Sequence, residues 1–230
     1  MPVSDERGFT LPELLLSMVV GLAVLAGVLT LVQVTLNGSA RVAGAVEANQ
    51  RARPVLQRII DELHSACVAP DTAPVLAGST GSSLGFLHQT GSAVSPTPDK
   101  RLLTVSEGTM TESVYPATGG APPTWTFAES PTSTQTLLTE VAAASTEGLA
   151  QVPFFQYFAL EAGELSTTPL ATPLSAADAT RAVLVKIAFA TSAFSAPTPD
   201  SERSVSVSDS AVLRLSPASE DTSKENRPCA

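Results

Sequence analysis

A serine between two glycines is the first feature of this sequence that could perform chemistry. Gly81-Ser82-Ser83-Leu84-Gly85 fits the nucleophile-elbow pattern G-x-S-x-G, which requires a strand before the serine, a helix after it, and a later acid and histidine. The motif here follows a loop-like Ala-Gly-Ser-Thr run, and the later histidine, His88, is only five residues beyond Ser83. The sequence therefore predicts no catalytic serine.

Metal and cofactor sites are also not expected. His64 and His88 have no second histidine or cysteine at ligand spacing, and His64 lies near the expected end of a helix, where a polar role facing the helix dipole is favoured. The acids Asp200, Glu202 and Asp209 lack calcium-loop spacing, so they indicate a solvated surface. No glycine-rich phosphate loop followed by lysine is present either. We expect no enzymatic activity, no metal and no cofactor.

Two cysteines stand far apart, Cys67 and the penultimate residue Cys229. If this part of the chain lies outside the cytoplasm, an oxidising environment would maintain a disulfide between them. The alternative is two unrelated thiols, because sequence says nothing about the separation of their Cα atoms. The sequence leaves both possibilities open.

The overall charge argues against a protein that binds nucleic acid directly. Lysine and arginine total 13 against 22 aspartate and glutamate, giving a formal net charge of −9. Proteins that bind phosphate backbones are usually basic over the binding surface. Yet the mean hydropathy is positive, at +0.20, and only 15% of residues are charged. The position of this apolarity along the chain is therefore informative.

The apolarity is concentrated near the N-terminus, where residues 14–36 contain no charged side chain. As a helix this run would be roughly 34 Å long, enough to cross a hydrocarbon core of about 30 Å. It is too long for a cleavable secretory signal, and the residues before it are not basic overall. A plain signal anchor fits the length but leaves Glu13 unexplained, since a charge at the head of a span is costly.

The residues that precede the run resemble the class III signal of type IV prepilins and pseudopilins. They read Gly8-Phe9-Thr10-Leu11-Pro12-Glu13. The resemblance implies cleavage by prepilin peptidase between Gly8 and Phe9, N-methylation of Phe9, and retention of the apolar helix as an anchor. It also implies that Glu13 pairs with the N-terminal ammonium of a neighbouring subunit and fixes its register. Pro12 is compatible with this helix because it falls in the first turn.

Looser similarity links the second half to the larger minor pilins of the J and W type. The markers are Phe154-Phe155-Gln156-Tyr157-Phe158, Glu161-Ala162-Gly163-Glu164-Leu165, Pro173-Leu174-Ser175-Ala176-Ala177-Asp178 and Ala211-Val212-Leu213-Arg214-Leu215. The third marker is expected to cap a short helix. These features favour a minor over a major pilin.

The expected fold class is α+β, a pilin-like fold with a long N-terminal helix on an antiparallel β-sheet. Three parts are expected: a leader at 1–8, a helix at 9–66 that spans the membrane at 14–36, and an extracytoplasmic β-rich domain at 67–230. Asn37-Gly38 and Pro54 are expected bends or weak points in the helix. Loops are expected at 95–100, 118–123 and 195–201. Strands are expected at 83–88, 101–107, 111–115, 124–127, 136–141, 154–160, 182–189 and 203–215.

The resemblance implies a subunit of a type IV pilus or type II secretion pseudopilus, in the priming or tip complex. Its partners would be prepilin peptidase, other major and minor pilins, and the inner-membrane assembly platform. It would be a single-pass protein of the cytoplasmic membrane until assembly. Arg41, Arg51 and Arg53 follow the span, and the positive-inside rule alone would place the C-terminal part in the cytoplasm; the cleavage motif favours the opposite side. The alternative function is an uncleaved, anchored β-domain that binds a ligand or surface.

Overall fold

The computed structural model describes residues 10–67, 73–90, 97–121, 124–145, 151–193 and 204–213. The chain divides into two compact units, Met1–Ala43 and Gly44–Ala230.

The described part of the first unit is helical. It belongs to helix α1, which spans Leu11–His64 and does not end at Gly38 or Pro54, where bends or weak points are predicted. Its large apolar side chains are exposed, from 49% at Val32 to 75% at Leu11. The hydroxyls of Ser17, Thr30 and Thr35 donate to backbone carbonyls three or four residues earlier, at 2.8–2.9 Å. These hydroxyls therefore need no water, which suits a helix in lipid.

The last six turns of α1 belong to the second unit and have one buried face. The spacing of three or four residues places the buried side chains on one side of the helix. Small residues come first and large aliphatic ones follow: Gly44, Ala48, Ala52, Leu56, Ile59, Ile60 and Leu63. This face packs into a core shared with two antiparallel sheets.

The first sheet has five strands in the order β1-β2-β3-β4, with β5 also paired to β3. The long strand β3 pairs with β2 along one edge, and with β5 and then β4 along the other. The bounds are β1 Ser83–Thr90, β2 Thr97–Ser106, β3 Thr109–Ala121, β4 Thr124–Phe127 and β5 Ser133–Thr139.

The second sheet has six strands around β10, which pairs with β11 on one edge and with β6 and β8 on the other. A short helix, α2, precedes β10, and the Ser175 hydroxyl caps it by accepting the Asp178 amide at 3.1 Å. The bounds are β6 Val141–Ser145, β7 Gln151–Val152, β8 Phe155–Glu161, β9 Glu164–Leu165, α2 Ala176–Arg181, β10 Ala182–Ser192 and β11 Ser204–Val212.

The two sheets share one hydrophobic core. Phe86 and Leu103 enter it from the first sheet, and Phe155, Ile187 and Phe189 from the second. The buried Tyr157 on β8 adds a polar connection between the sheets. Its hydroxyl lies 3.0 Å from the carbonyl oxygen of Thr80, just before β1, and 3.0 Å from that of Ser83, the first residue of β1. Burial raises the pKa of Tyr157. The structure thus confirms the expected α+β class, with a long helix packed against antiparallel sheets.

Several details of the sequence prediction are wrong. The strands form two sheets instead of one, and the strand predicted at 136–141 is two strands separated by Glu140, whose φ is 59°. The loop predicted at 95–100 is strand from Thr97, and that predicted at 118–123 is strand up to Ala121. Pairing with a neighbouring strand extends both segments, despite their proline and glycine content. The predicted cap and short helix at 173–178 are confirmed by Ser175 and α2.

Candidate functional site

The processing motif meets the described structure at its last residues. Gly8 and Phe9 lie outside the described residues, and Thr10 is the first residue described. The Thr10 carbonyl accepts the amides of Glu13 and Leu14 at 3.0 and 3.1 Å, so α1 starts directly after the expected cleavage site. Pro12 occupies the first turn, where its missing N–H costs no helical hydrogen bond.

Glu13 is the acidic residue of that first turn and its side chain is exposed. A carboxylate here interacts favourably with the positive end of the helix dipole. Among the residues that the structure describes, no basic side chain is paired with it. The next four residues include three leucines that are 50–66% exposed. A charge beside this apolar surface would need an external partner if the surface were covered by lipid or protein.

The apolar surface that follows Glu13 is suited to a membrane. Helix α1 is long and apolar enough to cross one by length and composition, with a mean hydropathy of 2.6 over its most apolar stretch. That stretch contains no buried residue. Together with the self-satisfied hydroxyls, these properties fit a single-pass membrane anchor.

In the second unit, a cluster of four charged side chains fixes α1 to the first sheet. Arg58 and Glu62 come from α1, Arg101 from β2 and Glu112 from β3. Arg58 contacts both carboxylates, reaching Glu62 through Nε at 2.9 Å and Glu112 through Nη2. The Nη1 atom of Arg101 also contacts both, at 3.0 Å from Glu62 and 2.7 Å from Glu112. Arg58 further donates to Gln135 on β5 at 3.2 Å.

The electrostatics of this cluster depend on burial. Glu112 is only 2% exposed, and desolvation together with the nearby Glu62 raises its pKa, although Arg101 and Arg58 oppose that rise. The pKa of Arg58 is raised, chiefly by its hydrogen bond to Glu62. Two arginines and two glutamates balance formally, so the cluster positions the helix and offers no unbalanced charge for catalysis.

Sequence reasoning did not find this cluster. In the sequence, Arg58 and Glu62 stand between the apolar residues of the helix and therefore read as polar surface positions, whereas both side chains contact the sheet. Their separation of four residues indicates a pair within the helix. Nothing in the pattern shows that Arg101 and Glu112 come to the same place, because that depends on the register of β2 and β3.

Arg51 makes a second polar connection between α1 and the sheets. Its guanidinium donates to the Thr139 hydroxyl of β5 at 3.1 Å and to the Ser192 carbonyl of β10 at 3.3 Å. Arg53 donates to Asn49, one helical turn earlier, at 3.0 Å. Two arginines that the positive-inside rule counts therefore have structural contacts.

The candidate nucleophile does not have nucleophile-elbow geometry. Ser83 begins β1, so a strand and not a helix follows the motif. Its hydroxyl lies 2.8 Å from that of Thr80 in the preceding turn. His88 lies at the far end of the same strand, with burial and Arg101 lowering its pKa. These positions do not form a serine–histidine pair.

The other candidate residues are dispersed. His64 is exposed in the last turn of α1, and Asp209 is exposed on β11. Within the described ranges, no three histidine, cysteine, aspartate or glutamate side chains are placed to hold a metal ion. Asp200 and Glu202 lie outside those ranges.

Cys67 is fully buried after α1, beside Leu87 of β1. Cys229 lies outside the described residues. The bridge between these two cysteines therefore stays a prediction.

Comparison with known proteins identifies the N-terminal segment. Residues 3–29 match the family model of the prokaryotic N-terminal methylation motif. No curated protein and no solved structure matches the chain. The matched segment contains Gly8, Phe9, Glu13 and residues 14–29 of the apolar run. The chain thus carries a type IV prepilin-like class III signal, which supports a pilin-like precursor and a structural subunit rather than an enzyme.

Proposed function

We propose that this protein is a minor pilin or pseudopilin, cleaved by prepilin peptidase and assembled into a type IV pilus or type II secretion pseudopilus. The observation that carries the proposal is the methylation motif, which extends into an exposed apolar helix. Cleavage in front of that helix retains it, whereas cleavage behind it would release the β-rich part. The same helix can then serve as a membrane anchor and later as an assembly element.

Glu13 is the residue to which this proposal assigns a chemical role in assembly. Cleavage between Gly8 and Phe9 makes Phe9 the new N-terminus, N-methylated, and Glu13 the fifth residue of the mature chain. In the proposed assembly the Glu13 carboxylate pairs with the terminal ammonium of a neighbouring subunit. A half-made pair among packed apolar helices leaves one charge uncompensated and is costly. This cost favours the axial register in which both charges are paired.

The proposed orientation places the β-rich part outside the cytoplasm. Arg51 and Arg53 have structural contacts, so their position after the span has a reason other than topology. An oxidising compartment would also favour the predicted Cys67–Cys229 bridge. The proposed partners are prepilin peptidase, the inner-membrane assembly platform, and other pilins in a priming or tip complex. The J- or W-type assignment belongs to this proposal and is supported by the sequence markers of the second half.

Substitution of Gly8 tests the processing step. In cells with an active peptidase, Gly8→Val is expected to leave an uncleaved precursor, because a branched side chain replaces the hydrogen before the scissile bond. Gly38→Ala is the matched control, since a Cβ there meets no atom within 4 Å. Intact-mass measurement should find the control without residues 1–8 and the Gly8→Val chain with them. A Gly8→Val chain that has lost residues 1–8, as the control chain has, would contradict the proposal.

The same measurement separates the proposal from an uncleaved anchor with a ligand-binding β-domain. That alternative requires the parent chain to begin at Met1 or Pro2. It also requires the Gly8→Val chain to begin at the same residue as the parent chain. Processing of the parent chain at Phe9 excludes it.

A further inference from the structure

The second sheet carries an apolar surface that no described element covers. Outside α1, three large hydrophobic side chains are exposed among the described residues: Leu160 at 45%, Leu165 at 46% and Val212 at 62%. All three belong to the second sheet. Scattered exposed hydrophobics need no explanation, but a contiguous group of them marks an interaction surface.

The strand registers show that these residues are contiguous. Leu160 pairs with Leu165 across β8 and β9, while Leu184 on β10 pairs with both Phe158 and Val212. Paired residues project from the same face of a sheet, as do residues two apart along one strand. The five side chains therefore share the face opposite the core, and we call them the outer patch. The core face carries Phe155, Tyr157, Val185 and Ile187.

A groove of about 440 Å³ runs beside the outer patch, lined by Phe158, Leu165, Leu184, Lys186, Ser208 and Ser210, with Asp209 between the serines. Lys186 pairs in register with Ser210 and projects to the outer face, where it is exposed. Asp209 pairs with the core residue Ile187, so its side chain projects from the opposite face. Lys186 has no ion-pair partner among the described residues. Among the described residues, the groove thus combines apolar walls with one positive charge that lacks a carboxylate partner.

We infer that the outer patch docks a neighbouring pilin-like subunit whose contact surface presents apolar side chains and a carboxylate. This inference rests on the proposed function, which supplies neighbouring subunits. Charge complementarity selects the partner: a carboxylate would satisfy Lys186 while apolar side chains cover the patch. In a twofold contact of patch against patch, a second copy would supply no carboxylate to Lys186, because all five residues of the outer patch are apolar.

The end of this chain is also a poor occupant. Residues 214–230 follow Leu213 directly and contain acids, but Leu215 is their one large aliphatic side chain. Such a segment cannot replace the apolar contacts that five side chains of the outer patch require.

Site-specific photocrosslinking of the full chain in its native membrane tests this inference. The photoreactive residue p-benzoylphenylalanine replaces Leu165 in one chain. In a control chain it replaces the exposed Glu129, which lies between β4 and β5 of the first sheet. The Leu165 position should yield an adduct, absent from the control, with another subunit that bears its own methylation motif. Peptide mapping should place the adduct next to a carboxylate. Lys186→Glu should reduce its yield about fivefold or more, while Lys186→Arg preserves it.

Charge reversal completes the test. Changing the mapped carboxylate of the partner to lysine should restore the adduct with the Lys186→Glu chain. Absence of an adduct above the Glu129 level, a second copy, an internal crosslink to residues 214–230 or a lipid adduct would each overturn the inference. The N-terminus is measured in the same cells: a chain that starts at Phe9 without the expected adduct refutes only the docking surface, whereas an unprocessed parent chain refutes the proposed function.

Discussion

Two sections of the same helix differ in what their side chains contact. From Leu11 to Ala43, α1 exposes leucine, valine and methionine on all sides, and its hydroxyls bond to its own backbone. From Gly44 to His64, aliphatic side chains point into a core, and Arg51, Arg58 and Glu62 bond to strands. The buried aliphatic side chains of the second section, and these three charged ones, therefore make their contacts within the chain. The first section requires lipid or other helices to cover its apolar surface.

This difference shows why the apolarity of the helix, averaged over its whole length, is uninformative. Apolar residues occur throughout, yet they form a buried face only where the β-rich part is available to bury them. A helix that is hydrophobic all round belongs in a membrane or a packed bundle. The boundary between the two sections therefore marks the change from contacts with the surroundings to contacts within the chain.

Truncation of one aliphatic side chain in each section should produce the largest contrast. Ile59→Ala removes a side chain that is fully buried and should lower the free energy of unfolding of the β-rich part by about 3–4 kcal/mol. Val28→Ala, at a side chain that is 53% exposed, should change it by less than about 0.5 kcal/mol. Urea unfolding in detergent micelles, followed by fluorescence of the single tryptophan, Trp125, measures both. Equal effects would contradict the division of α1.

Removal of a charge from the cluster should have the next largest effect. Arg101→Met leaves Glu62 and Glu112 together with only Arg58, and should cost about 2–3 kcal/mol at neutral pH. The side chain of Arg101 retains 15% exposure, which places the cost below that of a wholly buried pair. Adding Glu112→Gln to Arg101→Met should recover part of the loss, because one of the two facing carboxylates is gone. Failure of that recovery in the same unfolding assay would show that lost packing, not charge, causes the effect.

A smaller effect should depend on pH through Glu112. Because burial raises the pKa of Glu112 in the folded state above its ordinary value of 4.5, the folded state binds the proton more tightly than the unfolded state. Its stabilising contribution is therefore complete below pH 4.5 and is lost as the pH rises through the folded pKa. The parent chain should lose stability relative to Glu112→Gln over this window. The exposed Glu129→Gln serves as the control and should show no such divergence in urea titrations at successive pH values.

The sequence predicts the parts of this fold that depend on local pattern. The span, the outward continuation of the helix, most strand positions and the Ser175 cap follow from periodicity and capping chemistry. The two-sheet arrangement does not, since it depends on which strands pair with β3 and β10. The contacts of Arg58 and Glu62 with β2 and β3 cannot be predicted from the sequence for the same reason. Long-range register brings these side chains together, and no local spacing records it.

The candidate functional residues also fall into those that the sequence predicts and those that only the structure brings together. The methylation motif is contiguous, so Gly8, Phe9 and Glu13 are recognisable from the sequence and fall within the matched segment. The outer patch is assembled from three separate stretches of chain, and its continuity appears only when the registers of β8 to β11 are known. Its residues individually look like ordinary strand positions.

Mass spectrometry of the N-terminus tests the central claim most directly. The parent chain would be purified from its native membrane and analysed by intact mass and by fragmentation of its N-terminal peptide. We expect a chain that starts at Phe9, carries one added methyl group on the terminal nitrogen, and retains the whole apolar helix. A chain that starts at Met1 or Pro2, or one cleaved after residue 36, would contradict it.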